Sequence, residues 1–482
     1  MFYNVESMPA FGAGDPGSNP GGAIFLISRC KFMCGICAVY GEDVFNLGRA
    51  LLTKINHRGQ DGAGLFVYPA PKNLFSGQGL VNEILKGDEI PSDVKIAVGQ
   101  VRYPTEGGVV EENIQPIVKT IEDVQYVIAH NGEIVGFRNL VEQWDLESEI
   151  LSYYSDTHLI PYAISRSSGS SLEEKVINGL SNLNPAWSIC MAILQKNHEP
   201  LLVIAKDPFG FRPLSITTND LGIFAVSENS VPSNQNHHTR ELERGEIIFV
   251  DEKGIRSYII PQERKAPCIF EHIYFHFPKG EFSHIDITKA RHNLGRQLAI
   301  EEREQNLFVP NAIVTYAPDS SHVASIGYSE EAKLPLRPGI IRRHYQSNPR
   351  AFMAKPDRRA ALLESKYEVI PIYVEGKKII LIDDSIVRGN ASKYLVSLLK
   401  NGGATEVHIR IPSSPIMHPC TYGIDMKTYK ELIASERSTE EIRQHIGADS
   451  LLYLSLQGMH KAIGLSPKES CNACFSGDYP FK

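Results

Sequence analysis

The clearest apolar signals along this chain are short continuous runs, each closed by a polar or Gly-containing turn. Cys34-Gly35-Ile36-Cys37-Ala38-Val39-Tyr40 is the first, and Leu65-Phe66-Val67-Tyr68 follows a polar, Gly-rich stretch. Gly99-Gln100-Val101-Arg102 ends a third run, and Val127-Ile128-Ala129-His130 leads into Asn131-Gly132. Runs of this length, bounded by turn residues, predict buried strands. Lys378-Ile379-Ile380-Leu381-Ile382 is a fifth strand; two acids and a Gly-containing turn separate it from a helical pattern over Ser392 to Leu399. That order predicts a βα unit. The longest apolar run near the start, Ala23-Ile24-Phe25-Leu26-Ile27, is far short of the ~18 residues of a membrane span and too short for an export signal's apolar region.

Length and charge narrow the class. At ~150 residues per domain, 482 residues suggest about three domains, or two large ones. Lys and Arg total 49 against 56 Asp and Glu, a net charge of -7, which argues against a dedicated nucleic-acid binder. With 42% hydrophobic and 22% charged residues, wholesale disorder is excluded. Eight cysteines in so long a chain are too sparse for a disulfide scaffold. Without an export signal they imply a reducing, cytoplasmic setting, where each is packing, a metal ligand or a catalyst.

Residues 1–32 differ from the rest. Gly12-Ala13-Gly14-Asp15-Pro16-Gly17-Ser18-Asn19-Pro20-Gly21-Gly22 has no apolar period and is expected to be disordered. Met33 is a second start residue directly before Cys34, so the working protein is expected to begin at Cys34. Gly17-Ser18-Asn19-Pro20 is also what the transfer-RNA T-arm sequence GGTTCGAATCC encodes in one frame. Residues 1–32 are therefore read as a gene-start artefact, with a cleaved propeptide as the rival.

A cysteine at a mature N-terminus carries its own base. The free α-amino group has a pKa of ~7.7–8.0 and can take a proton from the adjacent thiol. Alone, Met-Cys-Gly more commonly marks a buried strand cysteine. Three further strings change the odds: His57-Arg58-Gly59-Gln60-Asp61-Gly62-Ala63-Gly64, Gly99-Gln100-Val101-Arg102-Tyr103-Pro104-Thr105 and Ala129-His130-Asn131-Gly132-Glu133. In this order they resemble the class II glutamine amidotransferase domain, an α+β N-terminal nucleophile hydrolase of four αββα layers. Ser155-Asp156-Thr157 matches the family's aspartate segment, and Lys206-Asp207-Pro208-Phe209-Gly210-Phe211-Arg212-Pro213-Leu214 a further signature with Lys for the usual Arg. The resemblance implies that Cys34 attacks the side-chain amide of glutamine, while Asn131 and Gly132 stabilise the oxyanion. Arg102 would pair with the substrate carboxylate and Asp156 with its ammonium, yielding glutamate and ammonia.

Lys378 to Asn390 supplies a destination for the ammonia. Backbone N–H groups of the turn and helix start can hold a phosphate. Asp383 and Asp384 suit sugar hydroxyls, directly or through Mg2+. As a string, Asp383-Asp384-Ser385-Ile386-Val387-Arg388-Gly389-Asn390 resembles the 5-phosphoribosyl-1-pyrophosphate motif of type I phosphoribosyltransferases, an α/β fold with a mostly parallel sheet. With the glutaminase strings, nearly everything after Met33 resembles the amidophosphoribosyltransferases, which make 5-phosphoribosylamine in the first step of purine synthesis. The implied phosphoribosyl pyrophosphate ligands are Asp383, Asp384, Ser385, Arg388, Gly389, Asn390 and Ala391. The implied Mg2+ positions are Ser320, from Tyr316-Ala317-Pro318-Asp319-Ser320-Ser321, with Asp383 and Asp384. Asn390-Ala391 stands where the family usually has Thr-Thr. Arg342 to Lys366 carries seven basic residues against two acids, and departs from the family's usual loop at His344 to Phe352. These departures keep a second reading alive, a divergent paralogue whose phosphoribosyl site is regulatory or altered in specificity. A different glutamine-fed synthase is disfavoured by the phosphoribosyl motif.

Cys471-Asn472-Ala473-Cys474 has metal-ligand spacing, and Cys268 and Cys420 bring the thiolates to four. Four suffice for structural Zn2+ or a [4Fe–4S] cluster, and spacing does not choose between them. The contexts Cys268-Ile269-Phe270-Glu271, Pro419-Cys420-Thr421-Tyr422-Gly423-Ile424-Asp425 and Cys471 to Phe475 resemble those of iron–sulfur members, implying [4Fe–4S]. Cys30, Cys37 and Cys190 receive no chemistry, and His237-His238 reads as loop. The expected organisation is an extension over 1–33, a glutaminase domain over 34–265 and a phosphoribosyltransferase domain over 266–482. Glutamine and phosphoribosyl pyrophosphate are the expected small-molecule partners, with purine nucleotides as feedback inhibitors, a homo-oligomeric state, and no nucleic acid or membrane.

Overall fold

The computed structural model describes residues 33–86, 93–103, 111–151, 154–229, 238–342 and 367–481. The expectations for residues 1–32, for most of the basic stretch after Arg342, and for Cys30 and His237 lie outside them. The described residues build two large antiparallel sheets, two small two-stranded ones and, later, one parallel sheet.

In the first sheet Gly35–Gly41 lies at the centre, between Gly222–Val226 and Ile96–Arg102. Gly62–Tyr68 and Leu74–Gln78 extend one side, and Ser215–Asn219 and His238–Glu241 the other. His238 thus opens an exposed edge strand, where sequence reading expected loop; it pairs with Thr218 across the ladder. The second sheet runs Gly254–Ile259, Glu246–Asp251, Leu201–Lys206, Trp187–Gln195, Val124–Gly132, Ile117–Ile121.

Why these strands are apolar on both faces follows from their place in the stack. Side chains alternate across a strand. Ile36 and Ala38 therefore face a core shared with Val127, Ala129, Cys190 and Ile204 of the second sheet. Cys37 and Val39 face the opposite way, onto Val44, Leu51 and Leu52 of the helix Val44–Lys54. The far face of the second sheet is covered by the helices Phe137–Gln143, Ile160–Ser165 and Leu172–Ser181. Helix, sheet, sheet, helix is the four-layer α+β arrangement the sequence implied.

The parallel sheet has the order Ile313–Tyr316, Lys378–Ile382, Glu406–Ile411, Ser450–Tyr453. Ile379, Leu381, Val407 and Ile409 pack on Leu395, Val396 and Leu399 of the helix Asn390–Asn401. Ile380 and Ile382 face a larger core that also takes in Phe209, Phe211, Ala186 and Met33. One continuous apolar cluster thus joins residues from both sequence halves.

Candidate functional site

Cys34 stands just ahead of the central strand Gly35–Gly41 and is half-buried. Its Sγ lies 3.7 Å from the Tyr103 carbonyl oxygen, and Arg58 Nε donates to the Cys34 carbonyl at 3.1 Å. Burial pushes the thiol pKa up, while the cations Arg102 and Arg58 oppose that shift and Asp156 adds to it. Arg102, Arg58 and Asp156 are therefore the charges surrounding the sulfur.

Arg102 closes the strand Ile96–Arg102, which pairs directly with Gly35–Gly41. It is 4% exposed, yet its Nε and Nη2 have no hydrogen-bond partner among the described residues. Burial lowers its pKa. Asn131, 1% exposed at the end of Val124–Gly132, likewise leaves both Nδ2 and Oδ1 unpartnered among them. A buried polar group without a partner costs about 1–3 kcal/mol, so these two side chains are candidates for holding a polar ligand. Gly132 has φ +143, and a Cβ there would meet the Ala186 carbonyl oxygen at 2.2 Å. Only glycine fits that approach. Asp156 opens the next short helical turn, and its Oδ2 accepts from the Ile134 N–H at 2.8 Å. The fold thus brings Arg102 and Asp156, separated in sequence, into the charged surroundings of Cys34, while Asn131 and Gly132 end a strand of the second sheet that is tied to Asp156 through the Ile134 N–H.

Sequence reading missed several residues here. Gln100, Gln115, His130 and Thr157 form a buried hydrogen-bonded group behind Asn131. His158, one turn past Asp156, is pushed down to about 4 by burial and stacks on Tyr154. Arg58 pairs with Glu228 at 2.7 Å and with Glu271 at 2.8 Å, all three side chains fully buried. Arg58, Gln100, His130 and Thr157 stand inside the strings read from sequence, but, apart from Tyr154 beside His158, the partners of these residues come from distant segments.

The second group sits at the C-terminal ends of the parallel strands, where open α/β sheets bind ligands. Asp383 and Asp384 follow Lys378–Ile382 directly. Ser320 Oγ donates to Asp384 Oδ1 at 2.8 Å and Ser385 Oγ to Asp384 Oδ2 at 2.6 Å. Ser392 Oγ lies 3.3 Å from Asp383 Oδ2. Gly389, with φ +79, caps the helix Asn390–Asn401, so Asn390 and Ala391 occupy its first turn. Ala391 is exposed and Ser392 buried toward Asp383. Arg388 is held by Glu431, whose other oxygen accepts from the Lys427 N–H at 3.0 Å. Lys427 Nζ in turn pairs with Glu133, next to Gly132.

The third group is the cysteines. Cys268, Cys420, Cys471 and Cys474 are all buried and line one small cavity, with Arg212 and Tyr422. Cys268 and Cys471 face each other across a short backbone bridge. Arg212 Nε donates to the Tyr422 carbonyl at 3.1 Å. Among the described residues no three His, Cys, Asp or Glu side chains converge on a single ion position.

The chain is similar to known proteins over nearly its whole length. A family profile described as a glutamine amidotransferase domain matches residues 106–231. The amidophosphoribosyltransferase of Bacillus subtilis is 37% identical over 458 residues, covering 93% of this chain and 94% of that protein. The Methanocaldococcus jannaschii enzyme of the same name is 34% identical, with 93% and 98% covered. Among solved structures, the Bacillus subtilis glutamine phosphoribosylpyrophosphate amidotransferase complexed with ADP and GMP superposes with a TM-score of 0.80 at 35% identity, covering 93% of this chain and 98% of that one. With such identity over nearly the whole length of both chains, this chain belongs to the amidophosphoribosyltransferase family.

Proposed function

We propose that this chain catalyses the glutamine-dependent synthesis of 5-phosphoribosylamine from phosphoribosyl pyrophosphate, the first step of purine synthesis, through two linked sites. The observation that carries the reading is the pair of buried, unpartnered groups, Arg102 and Asn131, in the region of Cys34, in a chain that also bears the Asp383–Asp384 turn.

At the first site Cys34 Sγ attacks the side-chain amide carbon of glutamine. With Cys34 at the N-terminus, its amino group takes the thiol proton and later passes it to the leaving nitrogen. Asn131 Nδ2 and the Gly132 N–H donate to the developing oxyanion, a contribution of about 2.7–4 kcal/mol for one such donor. Arg102 holds the substrate carboxylate and Asp156 its ammonium. The C–N bond breaks, ammonia leaves, and water hydrolyses the thioester to glutamate.

At the second site ammonia attacks the ribose C1 as pyrophosphate departs. Gly389 and the first-turn N–H groups of Asn390 and Ala391 hold the 5-phosphate, with the helix start favouring an anion. Asp383 and Asp384 hold the ribose hydroxyls, with Ser385 and Arg388 beside them. Mg2+, held by Ser320, Asp383 and Asp384, would neutralise the leaving pyrophosphate; the Ser320–Asp384 contact fits that donor set. Because water competes with ammonia, dryness and positioning matter more here than covalent help.

The four cysteines, buried around one small cavity, are read as ligands of a [4Fe–4S] cluster rather than of one Zn2+. Four thiolates would serve either group, and the choice rests on the resemblance of their sequence contexts to those of iron–sulfur members. Bound there, the cluster would supply cross-linking of residues 268, 420, 471 and 474, a structural role. Residues 34–265 are read as the glutaminase domain and 266–482 as the transferase domain. The chain is read as a cytoplasmic homo-oligomer inhibited by purine nucleotides, as the ADP and GMP bound to the Bacillus subtilis relative suggest.

The test is pyrophosphate release from phosphoribosyl pyrophosphate and Mg2+. With glutamine it should proceed in protein beginning at Cys34 and vanish in Cys34→Ala. Supplying ammonia should restore it. Glutamate formed without pyrophosphate would favour instead the regulatory reading of the second site, which Asn390-Ala391 motivates. Protein purified anaerobically should be brown and contain iron; colourless protein with one zinc would overturn the cluster.

A further inference from the structure

The strand that ends in Asn131-Gly132 outruns its neighbour. Ile117–Ile121 pairs with Val124–Gly132 only as far as Ile128, opposite Ile117, so the backbone of His130 has no strand on that side. Two glutamine side chains take its place. The His130 N–H donates to Gln115 Oε1 at 2.6 Å, and the His130 carbonyl accepts from Gln100 Nε2 at 2.7 Å. Gln100 Nε2 also reaches Gln115 Oε1 at 2.8 Å. The remaining donor of Gln115, Nε2, goes to Thr157 Oγ1 at 2.8 Å, and that hydroxyl lies 3.2 Å from His130 Nδ1.

Thr157 is the neighbour of Asp156. On the other side of Asn131-Gly132, the Ile134 N–H donates to Asp156 Oδ2. The Asp156-Thr157 pair is therefore tied to the oxyanion strand at two points, one before and one after Asn131-Gly132. Gln100, Gln115, His130 and Thr157 are each at most 4% exposed, so water does not substitute for a lost bond. Gly64 makes room for this arrangement: a Cβ there would sit 2.3 Å from the Gln115 carbonyl oxygen.

We propose that Gln115 and Thr157 are positioning residues that set the spacing between the oxyanion donors and the ammonium site at Asp156. Glutamine is gripped at both ends, its α-ammonium and its side-chain amide, so that spacing is a gauge of substrate length. An error in it loosens the grip on the ammonium and moves the amide off the oxyanion donors, so that both binding and the glutamine-dependent rate fall. The inference rests on the assignment of Asn131, Gly132 and Asp156 to the glutaminase site.

Thr157→Val keeps the shape and removes the hydroxyl. Glutamine kcat/KM should fall about tenfold, through a raised KM and a lowered glutamine-supported kcat together. Thr157→Ser should restore it, and ammonia-supported pyrophosphate release should equal wild type in both. Gln115→Met, which removes the side-chain amide, should repeat the Thr157→Val effect and serves if that variant does not fold. An unchanged glutamine kcat/KM in both variants overturns the proposal. So does an equal loss with ammonia and with glutamine, which makes the pair general packing. Cys34→Ala that still uses glutamine sinks the site assignment itself, whatever Thr157 does.

Discussion

The two sites differ in how their polar groups are occupied. At the proposed glutaminase site Arg102 Nε and Nη2 and the Asn131 side-chain amide are buried without hydrogen-bond partners among the described residues. In the phosphoribosyl site the carboxylates of Asp383 and Asp384 are occupied by Ser320, Ser385 and Ser392. The first sits at the ends of sheet strands locked by a sandwich core; the second sits on turns at the edge of a four-stranded sheet. The cost of the unpartnered groups is met by the rigidity around them, so the first pocket is preorganised. In the second, the carboxylates already accept serine hydroxyls, so a ligand at the proposed site would compete with internal hydrogen bonds.

The sharpest way to break this comparison is at Asp384. Asp384→Asn should lower both glutamine- and ammonia-supported pyrophosphate release by at least about a thousandfold, as loss of several kcal/mol of charge stabilisation dictates. Glutamate formation should persist, and its disappearance would mean that the first pocket is not independently formed. Asn131→Ala should act in the opposite sense. Glutamine-supported kcat should drop by about 10²–10³ with ammonia-supported release intact; a loss confined to KM would remove Asn131 from the oxyanion site.

A pH measurement sharpens the contrast. Burial holds the His158 pKa at about 4, well below its unfolded value of ~6.5. Between those values the unfolded chain binds a proton that the folded chain does not. Stability therefore falls as pH drops through that window, by up to about 3 kcal/mol once pH lies below both values. His158→Gln should flatten that limb in denaturant titrations at pH 7 and pH 4.5, and an unchanged slope would show His158 free to protonate in the fold. The smallest effect belongs to Lys427→Met. Its ion pair with Glu133 is about one-fifth exposed, so severing it should cost about 1 kcal/mol or less, roughly a fivefold loss of glutamine-supported rate. Equal loss with ammonia would place Lys427 in the second site instead.

What could be read from sequence follows the same divide. Cys34, Arg102, Asn131-Gly132 and Asp383-Asp384 lie in short strings whose strand-then-turn pattern is local, and the structure has each at a strand end. The supporting residues were illegible because their partners are remote. Arg58 meets Glu228 and Glu271, and Glu133 meets Lys427, across intervals that no periodicity spans. Gln115 reads as one more loop residue until the neighbouring strand is seen to stop short of His130. His238 failed differently: an exposed edge strand lacks the apolar alternation that strand recognition depends on.

Residues 420–433 run past all three groups in turn. Cys420 lines the cysteine cavity, Gly423 lies flat against the backbone of Gly132, and Lys427 pairs with Glu133. Glu431 then holds Arg388, and the Ile433 N–H donates to the Val387 carbonyl at 2.8 Å. The contour length of this stretch is a ruler laid between sites that otherwise belong to separate sheets. Deleting or inserting one residue within it would misregister the cysteine cavity, the end of the Val124–Gly132 strand and the Val387-Arg388 turn together. Its length is therefore far less free to vary than its exposed side chains.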